Sequence, residues 1–313
     1  MTSVTAQTAL VTGADGFIGR ALVRVLARRG HRVLALAGTA AAVERVRSIG
    51  AVPVLGDVSN PGPWQDEAGA DWVFHVAPYP ERGKYRGETR VGPVMLRRLA
   101  TDALLLDTVA GTATQRIVYI GDACCYGPTG DRPITEDVPP RPSVAGRCLG
   151  PALDRLDGYI IAGLPIVTAL PGLVYGDGSW FRERVIDPMA AGRRVIRFGR
   201  ADHWVSPIHV EDCARALVHL AAHGHVGSRY FVVNSTPVRI RDFATVCARL
   251  TNRPLREWHL PAAAARFITG PILAGYLTRE ALFSNIRLRA TGFGFNHPTL
   301  EDGVHQIVEA LDA

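Results

Sequence analysis

The sequence predicts an α/β fold, a doubly wound parallel sheet that carries a smaller, mostly helical subdomain. Three observations lead there. Short β-branched and aliphatic runs alternate with amphipathic stretches through the first two-thirds of the 313 residues, the rhythm of strand–helix–strand units with right-handed crossovers. A glycine-rich turn separates the first such run from the first amphipathic stretch. Hydrophobic residues make up 47% and charged residues 20% of the chain, a balance that can fill a large core and still face water.

Each element can be justified in turn. Ala9-Leu10-Val11 reads as the first strand, and a helix-period segment follows over 18–29. Val33-Leu34-Ala35-Leu36, Val52-Pro53-Val54-Leu55 and Trp72-Val73-Phe74-His75 read as buried parallel strands, being apolar on both faces. A helix over 95–108, the strand Ile117-Val118-Tyr119-Ile120, a helix over 145–161 and the strand Ile166-Val167-Thr168-Ala169-Leu170 continue the pattern. Tyr230-Phe231-Val232-Val233 then follows a helix whose N-cap falls on Glu211 or Asp212. Two stretches break the rhythm, 176–206 with its Gly, Trp, Phe and Arg, and 236–298 with helices and interspersed prolines. Both follow strands at their carboxyl ends, where open α/β sheets carry ligand-binding insertions. The expected division is a Rossmann-like domain of 1–175 plus about 207–235, a substrate-binding subdomain of about 176–206 plus 236–300, and a C-terminal helix over 301–313.

Composition excludes several classes. Lys and Arg number 35 against 29 Asp and Glu, a formal net charge of +6, and Lys84 is the only lysine. The arginines are scattered and form no basic stripe interleaved with aromatics, which argues against nucleic-acid binding. No apolar run has the ~18 to 20 residues that span a bilayer, and the N-terminus lacks the layout of a signal peptide. Five cysteines with no Cys-x-x-Cys pair support neither a disulfide framework nor a thiolate metal site. Cys124-Cys125 reads as buried filler, and a reduced, cytoplasmic setting fits. No His/Asp/Glu group shows metal-ligand spacing, so no metal is expected.

Gly13-Ala14-Asp15-Gly16-Phe17-Ile18-Gly19 carries the chemistry of the first turn. Gly13 permits the tight turn, Gly16 lets a pyrophosphate approach the backbone at the helix N-terminus, and Gly19 lets helix and strand pack closely. Further landmarks follow: Gly56-Asp57-Val58, His75-Val76-Ala77, Tyr126-Gly127, Pro171-Gly172-Leu173-Val174-Tyr175-Gly176, Ile208-His209-Val210-Glu211-Asp212, and Ser284-Asn285 through Gly292-Phe293. With these motifs the chain resembles the extended short-chain dehydrogenase/reductase family, also called the NAD-dependent epimerase/dehydratase family, over almost its whole length. The resemblance implies NAD or NADP held by Gly13, Asp15, Gly16, Phe17, Ile18 and Gly19, with Asp57 and Val58 near the adenine and Ala77 and Pro171 further along the dinucleotide. It also implies a small-molecule substrate, and a homodimer through the helices over 95–108 and 145–161. One determinant departs from the family. The tip after the second strand reads Ala37-Gly38-Thr39, with neither the acid that marks NAD nor the Arg that marks NADP, so the preference stays open. Arg45 reads as a solvated helix arginine.

The family resemblance also implies a Ser/Thr–Tyr–Lys set, in which Lys lowers the pKa of a Tyr that moves the substrate proton. An unperturbed tyrosine, at about pH 10, cannot do so near neutrality. Aligned on Tyr126-Gly127, the Ser position holds Asp122, and the Tyr-x-x-x-Lys positions fall near Gly146 and Gly150. No tyrosine lies between Tyr126 and Tyr159. The standard relay is therefore absent. Three readings remain: a non-redox proton transfer (isomerisation, cyclisation or elimination) on a small, mainly apolar biosynthetic intermediate; hydride transfer with another proton donor; or a dead enzyme that binds a ligand or partner. Asp122 favours the first, because a desolvated carboxylate at the carboxyl end of the fifth strand can work as general acid or base. The alternative for Asp122 is a turn cap. Tyr79, Tyr85 and His203 are weaker candidate donors, and Lys84 reads as a surface charge. Cys124, Arg147, Tyr175, Trp180 and Trp204 are the expected walls of the substrate pocket.

Overall fold

The computed structural model describes residues 6–76, 91–140 and 144–312. Ala77, Tyr79, Lys84 and Tyr85 lie outside the described residues. The strands are β1 (Thr8–Thr12), β2 (Arg32–Ala37), β3 (Val52–Leu55), β4 (Trp72–His75), β5 (Arg116–Ile120), β6 (Ile166–Pro171), β7 (Leu173–Tyr175), β8 (Val195–Phe198), β9 (Trp204–Val205), β10 (Pro207–His209), β11 (Arg229–Val232), β12 (Val238–Arg239) and β13 (Glu257–Leu260). The helices are α1 (Phe17–Arg28), α2 (Ala40–Arg47), α3 (Val91–Ala110), α4 (Val144–Ile161), α5 (Asp187–Ala190), α6 (Val210–His223), α7 (Asp242–Leu250), α8 (Ala262–Thr269), α9 (Pro271–Thr278), α10 (Ile286–Ala290) and α11 (Leu300–Asp312).

Seven strands form one parallel sheet in the order β11-β6-β5-β4-β1-β2-β3. The order reverses between β1 and β4, which opens a crevice at their carboxyl ends. β1 to β6 are apolar because helices cover both faces of the sheet centre. One face packs under α1 and α6 around Val11, Leu22, Val118 and Leu217. The other carries Leu10, Tyr119, Leu153 and Phe231, and this cluster continues without a break into Phe243 and Ile307 of the C-terminal part. β3 departs from the expected buried strand: it lies at the sheet edge, with Val52 47% and Leu55 68% exposed. An edge strand has a neighbour on one side only, so alternation of type does not report its burial.

The two stretches that break the rhythm join each other through backbone pairing. β8 pairs with β13 in parallel and β9 with β12 antiparallel. The C-terminal segment is also tied to the sheet, since Asn285 donates from Nδ2 to the Val233 carbonyl at 2.8 Å. The N-cap of α6 is His209, not Glu211 or Asp212. Asp212 lies inside the first turn and is fully buried. Its carboxylate accepts the backbone N–H groups of Asn296 (2.9 Å) and His297 (2.7 Å). Arg215 bonds it as well, and together these donors hold its pKa down at about 2 against the effect of burial. An acid in the first turn of α6 thus pins the far end of the chain instead of capping its own helix. No helix among the described residues is long and apolar enough to cross a membrane.

Candidate active site

The glycine-rich turn follows β1 into α1 at the crevice. Gly13 has φ +62°, and a Cβ there would meet the Val76 carbonyl oxygen at 2.2 Å. A Cβ on Gly19 would meet the Gly13 oxygen at 2.0 Å. Both glycines are demanded by packing alone. Gly16 is different: it is exposed, adopts φ −74°, and caps α1 with no side-chain hydrogen bond and no acid in the first turn. The first N–H groups of α1 therefore face out uncapped over a bare backbone, which suits an anionic pyrophosphate. Arg45 does not float free as expected; its Nη2 reaches back to Asp15 Oδ2 at 2.8 Å, across the loop. Asp57 accepts the N–H (2.9 Å) and Oγ–H (2.7 Å) of Ser59, so it shapes its own turn, and Val58 is buried core. Pro171 ends β6 at the same edge of the sheet.

Beneath the crevice lies a buried polar network that sequence reasoning missed. Thr12 Oγ1 and His75 Nδ1 are 2.9 Å apart, at paired positions of β1 and β4. His75 Nε2 donates to Asp102 Oδ1 at 2.8 Å, and Arg98 Nε and the Tyr119 hydroxyl both donate to Asp102 Oδ2, at 2.9 and 2.6 Å. Burial would raise the Asp102 pKa, but the Arg98 guanidinium beside it, with the bonds from His75 and Tyr119, keeps it below the ordinary carboxylate value. Burial dominates at His75 and lowers its pKa, so it is neutral. The available signal was the i, i+4 spacing of Arg98 and Asp102 on a helix face that otherwise reads as apolar.

Asp122 leaves β5 and caps the short turn Ala123–Tyr126, its Oδ1 accepting the Cys124 N–H at 2.8 Å. The same oxygen accepts the Tyr276 hydroxyl at 2.7 Å. Tyr276 is only 2% exposed, whereas Asp122 is half-buried. α9, which carries Tyr276, packs against both α4 and the Asp122 turn. On α4, a Cβ built at Gly150 meets nothing within 4 Å. Next to the pair a cleft of about 470 Å³ opens, walled by Cys124, Gly127, Ala262, Phe267, Ala274 and Tyr276, with Arg266 and Arg279 at its polar side. Tyr276 was not legible as a site residue because it lies 154 positions along the chain from Asp122.

The other expected residues separate. Cys124 is on the cleft wall, and burial pushes its thiol pKa up, away from reactivity. His203 donates from Nε2 to the Tyr276 carbonyl at 2.8 Å, so it braces α9. Tyr175 is fully buried, ringed by Phe181, His209 and Phe243, and forms core instead of pocket wall. Trp180 stacks in that cluster and bonds the Val174 carbonyl. Trp204 is 37% exposed beneath the Arg239 guanidinium, and Arg147 is exposed on α4; neither lines the cleft. No metal-ligand spacing was legible along the chain, but spacing does not report what the fold brings together. The fold brings His209, Glu211 and His297 together, a set no local spacing can reveal.

Comparison with known proteins agrees with this architecture. A family model described as "NAD dependent epimerase/dehydratase family" matches residues 9–234. The chain is 26% identical over 265 residues to a 4-hydroxy-2-methyl-3-oxo-4-farnesyl-3,4-dihydroquinoline-1-oxide ketoreductase of Stigmatella aurantiaca, covering 82% of this chain and 77% of that one. It is 30% identical over 274 residues to a dTDP-4-dehydro-6-deoxy-D-allose reductase of a Streptomyces species, covering 80% and 83%. Among solved structures, a UDP-glucuronic acid 4-epimerase variant of Bacillus cereus, in complex with UDP-4-deoxy-4-fluoro-glucuronic acid and NAD, superposes with a TM-score of 0.82 at 17% identity, over 97% of this chain and 99% of that one. A doubly wound sheet with a glycine turn at its switch point and a small helical lobe beside it is what this comparison predicts and what the chain builds: it belongs to the NAD-dependent epimerase/dehydratase family.

Proposed function

We propose that this chain is an enzyme that catalyses a redox-neutral proton transfer on a small, mainly apolar compound, with Asp122 as the general acid and base. The observation that carries the reading is the hydrogen bond from Tyr276, which lines the cleft, to the half-buried Asp122 carboxylate behind Cys124. Two donors on Oδ1 fix the carboxylate's orientation, and its half-buried position lets it take a proton from a ligand and return it. The phenol of Tyr276 stabilises the anion between turnovers. Small and apolar walls at Ala262, Ala274 and Phe267 suit an apolar substrate, and Arg266, Arg279 and Glu280 give the cleft a polar side for a polar group on it. A dinucleotide fits the bare loop at Gly16 and the uncapped start of α1, held by Gly13, Gly16 and the first N–H groups of the helix; when bound it supplies a hydride donor or acceptor.

A second reading is favoured by the reductase names of the two relatives above. In it, the same Asp122–Tyr276 pair donates the proton of a carbonyl reduction. One experiment separates the two. The protein is incubated in D₂O with a panel of apolar ketones, with and without NADH or NADPH, and followed by mass spectrometry and by absorbance of the reduced nucleotide. Deuterium incorporation without nucleotide consumption is expected, falling by ~10²-fold in Asp122→Asn, whose amide oxygen still caps the turn. Tyr276→Phe should lose less, because the carboxylate remains. Consumption of NADH or NADPH near ~10 s⁻¹ without exchange would overturn the first reading in favour of the second.

A further inference from the structure

A second cluster of chemistry lies away from Asp122, where β10 runs into α6. His209 is 2% exposed, and neither of its ring nitrogens finds a hydrogen-bond partner among the described residues. A buried imidazole must carry at least one N–H, so an unpartnered pair of nitrogens costs the fold a desolvated donor and acceptor. His297, itself only 9% exposed, stands against it with ring centroids 4.1 Å apart. Glu211, two residues beyond His209, completes a set whose ligand atoms all lie within 4.8 Å of one another.

We infer that His209, Glu211 and His297 form a binding site for a divalent transition-metal ion, with Zn²⁺ as its type. Two imidazoles and one carboxylate are the donor set such ions take, with a further position open to water. Ligand atoms on one ion at ~2.1 Å are at most ~4.2 Å apart. The set therefore has to draw in slightly, and the half-buried Glu211 side chain is the one with room to move. The surroundings also fit. Asp212 Oδ2 lies 3.4 Å from His297 Nδ1, where a metal-bound imidazole commonly finds its outer carboxylate, which leaves the other ring nitrogen to coordinate. Glu211 and Asp212 put two carboxylates beside the proposed ion. Two cations face the group, Arg28 on α1 at 3.7 Å from Glu211 and Arg215 on α6 at 2.5 Å from Asp212. Each pairs with one of the two carboxylates and offsets part of its charge. The ion would take one of the two unpartnered His209 ring nitrogens and clamp the segment around His297 onto the start of α6.

The test uses the full chain stripped with a chelator and titrated with ZnCl₂ against a chromophoric zinc indicator, alongside thermal melts. One equivalent should bind and raise the melting temperature. Glu211→Gln changes a partly exposed residue in the first turn and leaves the core intact; it should weaken binding by about 10- to 100-fold and remove the thermal shift. His297→Gln should do the same. His219 and His223, whose rings are 4.5 Å apart on α6, are the obvious adventitious site, so His223→Gln is the control and should bind zinc as the parent does. The inference fails if no equivalent binds, if Glu211→Gln binds as tightly as the parent, or if His223→Gln abolishes binding.

Discussion

Asp102 keeps its charge where burial alone would remove it, because Arg98, His75 and Tyr119 all contact its two oxygens. Breaking such a group leaves an uncompensated buried cation. Asp102→Asn should therefore cost ~3 to 5 kcal/mol, read by urea denaturation at pH 7. The same network gives a pH dependence whose sign can be worked out. Burial lowers the His75 pKa, so the unfolded chain binds a proton at His75 more readily than the fold does. Stability from this residue is complete above its unfolded value of about 6.5 and is lost as pH falls below it. Asp102 adds its own loss only in the carboxylate range, below about 4. Urea midpoints between pH 7 and 5 should fall in the parent and fall less steeply in His75→Asn. Other histidines lowered by burial, among them His203 and His219, retain part of the slope. A slope unchanged by His75→Asn would show that the ring is not the titrating group. At this scale the sequence was least informative. Asp122 could be singled out by its place in a motif, but its partner Tyr276 could not, because only the folded α9 brings the two together.

At the level of elements, periodicity reported what depends on it. The five interior strands of the central sheet, β1, β2, β4, β5 and β6, were legible because an interior strand must be apolar on both faces, and α1 because its buried face, Leu22, Val23 and Leu26, repeats at helical spacing. The pairing of β8 with β13 was not legible: it depends on register between distant segments whose exposed residues carry no alternation. The glycine turn shows how one motif mixes demands that its spacing cannot separate. Gly13→Ala and Gly19→Ala push a Cβ to 2.2 and 2.0 Å from backbone oxygens and should fold poorly or not at all. Gly16→Ala adopts an ordinary φ, and its Cβ comes no nearer than 3.1 Å to the Gly13 oxygen. It should remain folded, losing less than about 1 kcal/mol. If Gly16 is bare so that a pyrophosphate can approach, the same change should weaken nucleotide binding by ~10-fold or more, as one displaced contact of about 1.4 kcal/mol would. Calorimetric titration of parent and Gly16→Ala with NAD⁺, NADH, NADP⁺ and NADPH checks this. Binding by the parent to none of the four would remove the dinucleotide from the proposed function.

The whole molecule is held together by a core that runs from the sheet into the C-terminal part, and Tyr175 stands at that junction. Its ring meets Phe181, Phe243 and His209 edge-on, and the backbone of α11 passes directly over its hydroxyl. The approach is possible only because residue 303 is glycine: a Cβ there would lie 2.1 Å from the Tyr175 oxygen and 2.8 Å from its Cζ. That hydroxyl is buried with no hydrogen-bond partner among the described residues. Two opposing consequences follow for stability. Gly303→Ala overpacks the junction and should cost ~1 to 3 kcal/mol, even though alanine is the better helix former by about 1 kcal/mol. Tyr175→Phe deletes an unsatisfied polar group and should be neutral or stabilising by up to ~1 to 3 kcal/mol. The double variant distinguishes packing from helix propensity, since removing the oxygen relieves the closest contact while Cζ still crowds the new methyl. Adding Tyr175→Phe should therefore recover part of the Gly303→Ala loss, with a coupling of ~0.5 kcal/mol or more in a double-mutant cycle followed by urea denaturation. Strict additivity of the two changes would mean that α11 does not rest on Tyr175, and that the C-terminal helix is anchored instead by its apolar face, Leu300, Val304 and Ile307.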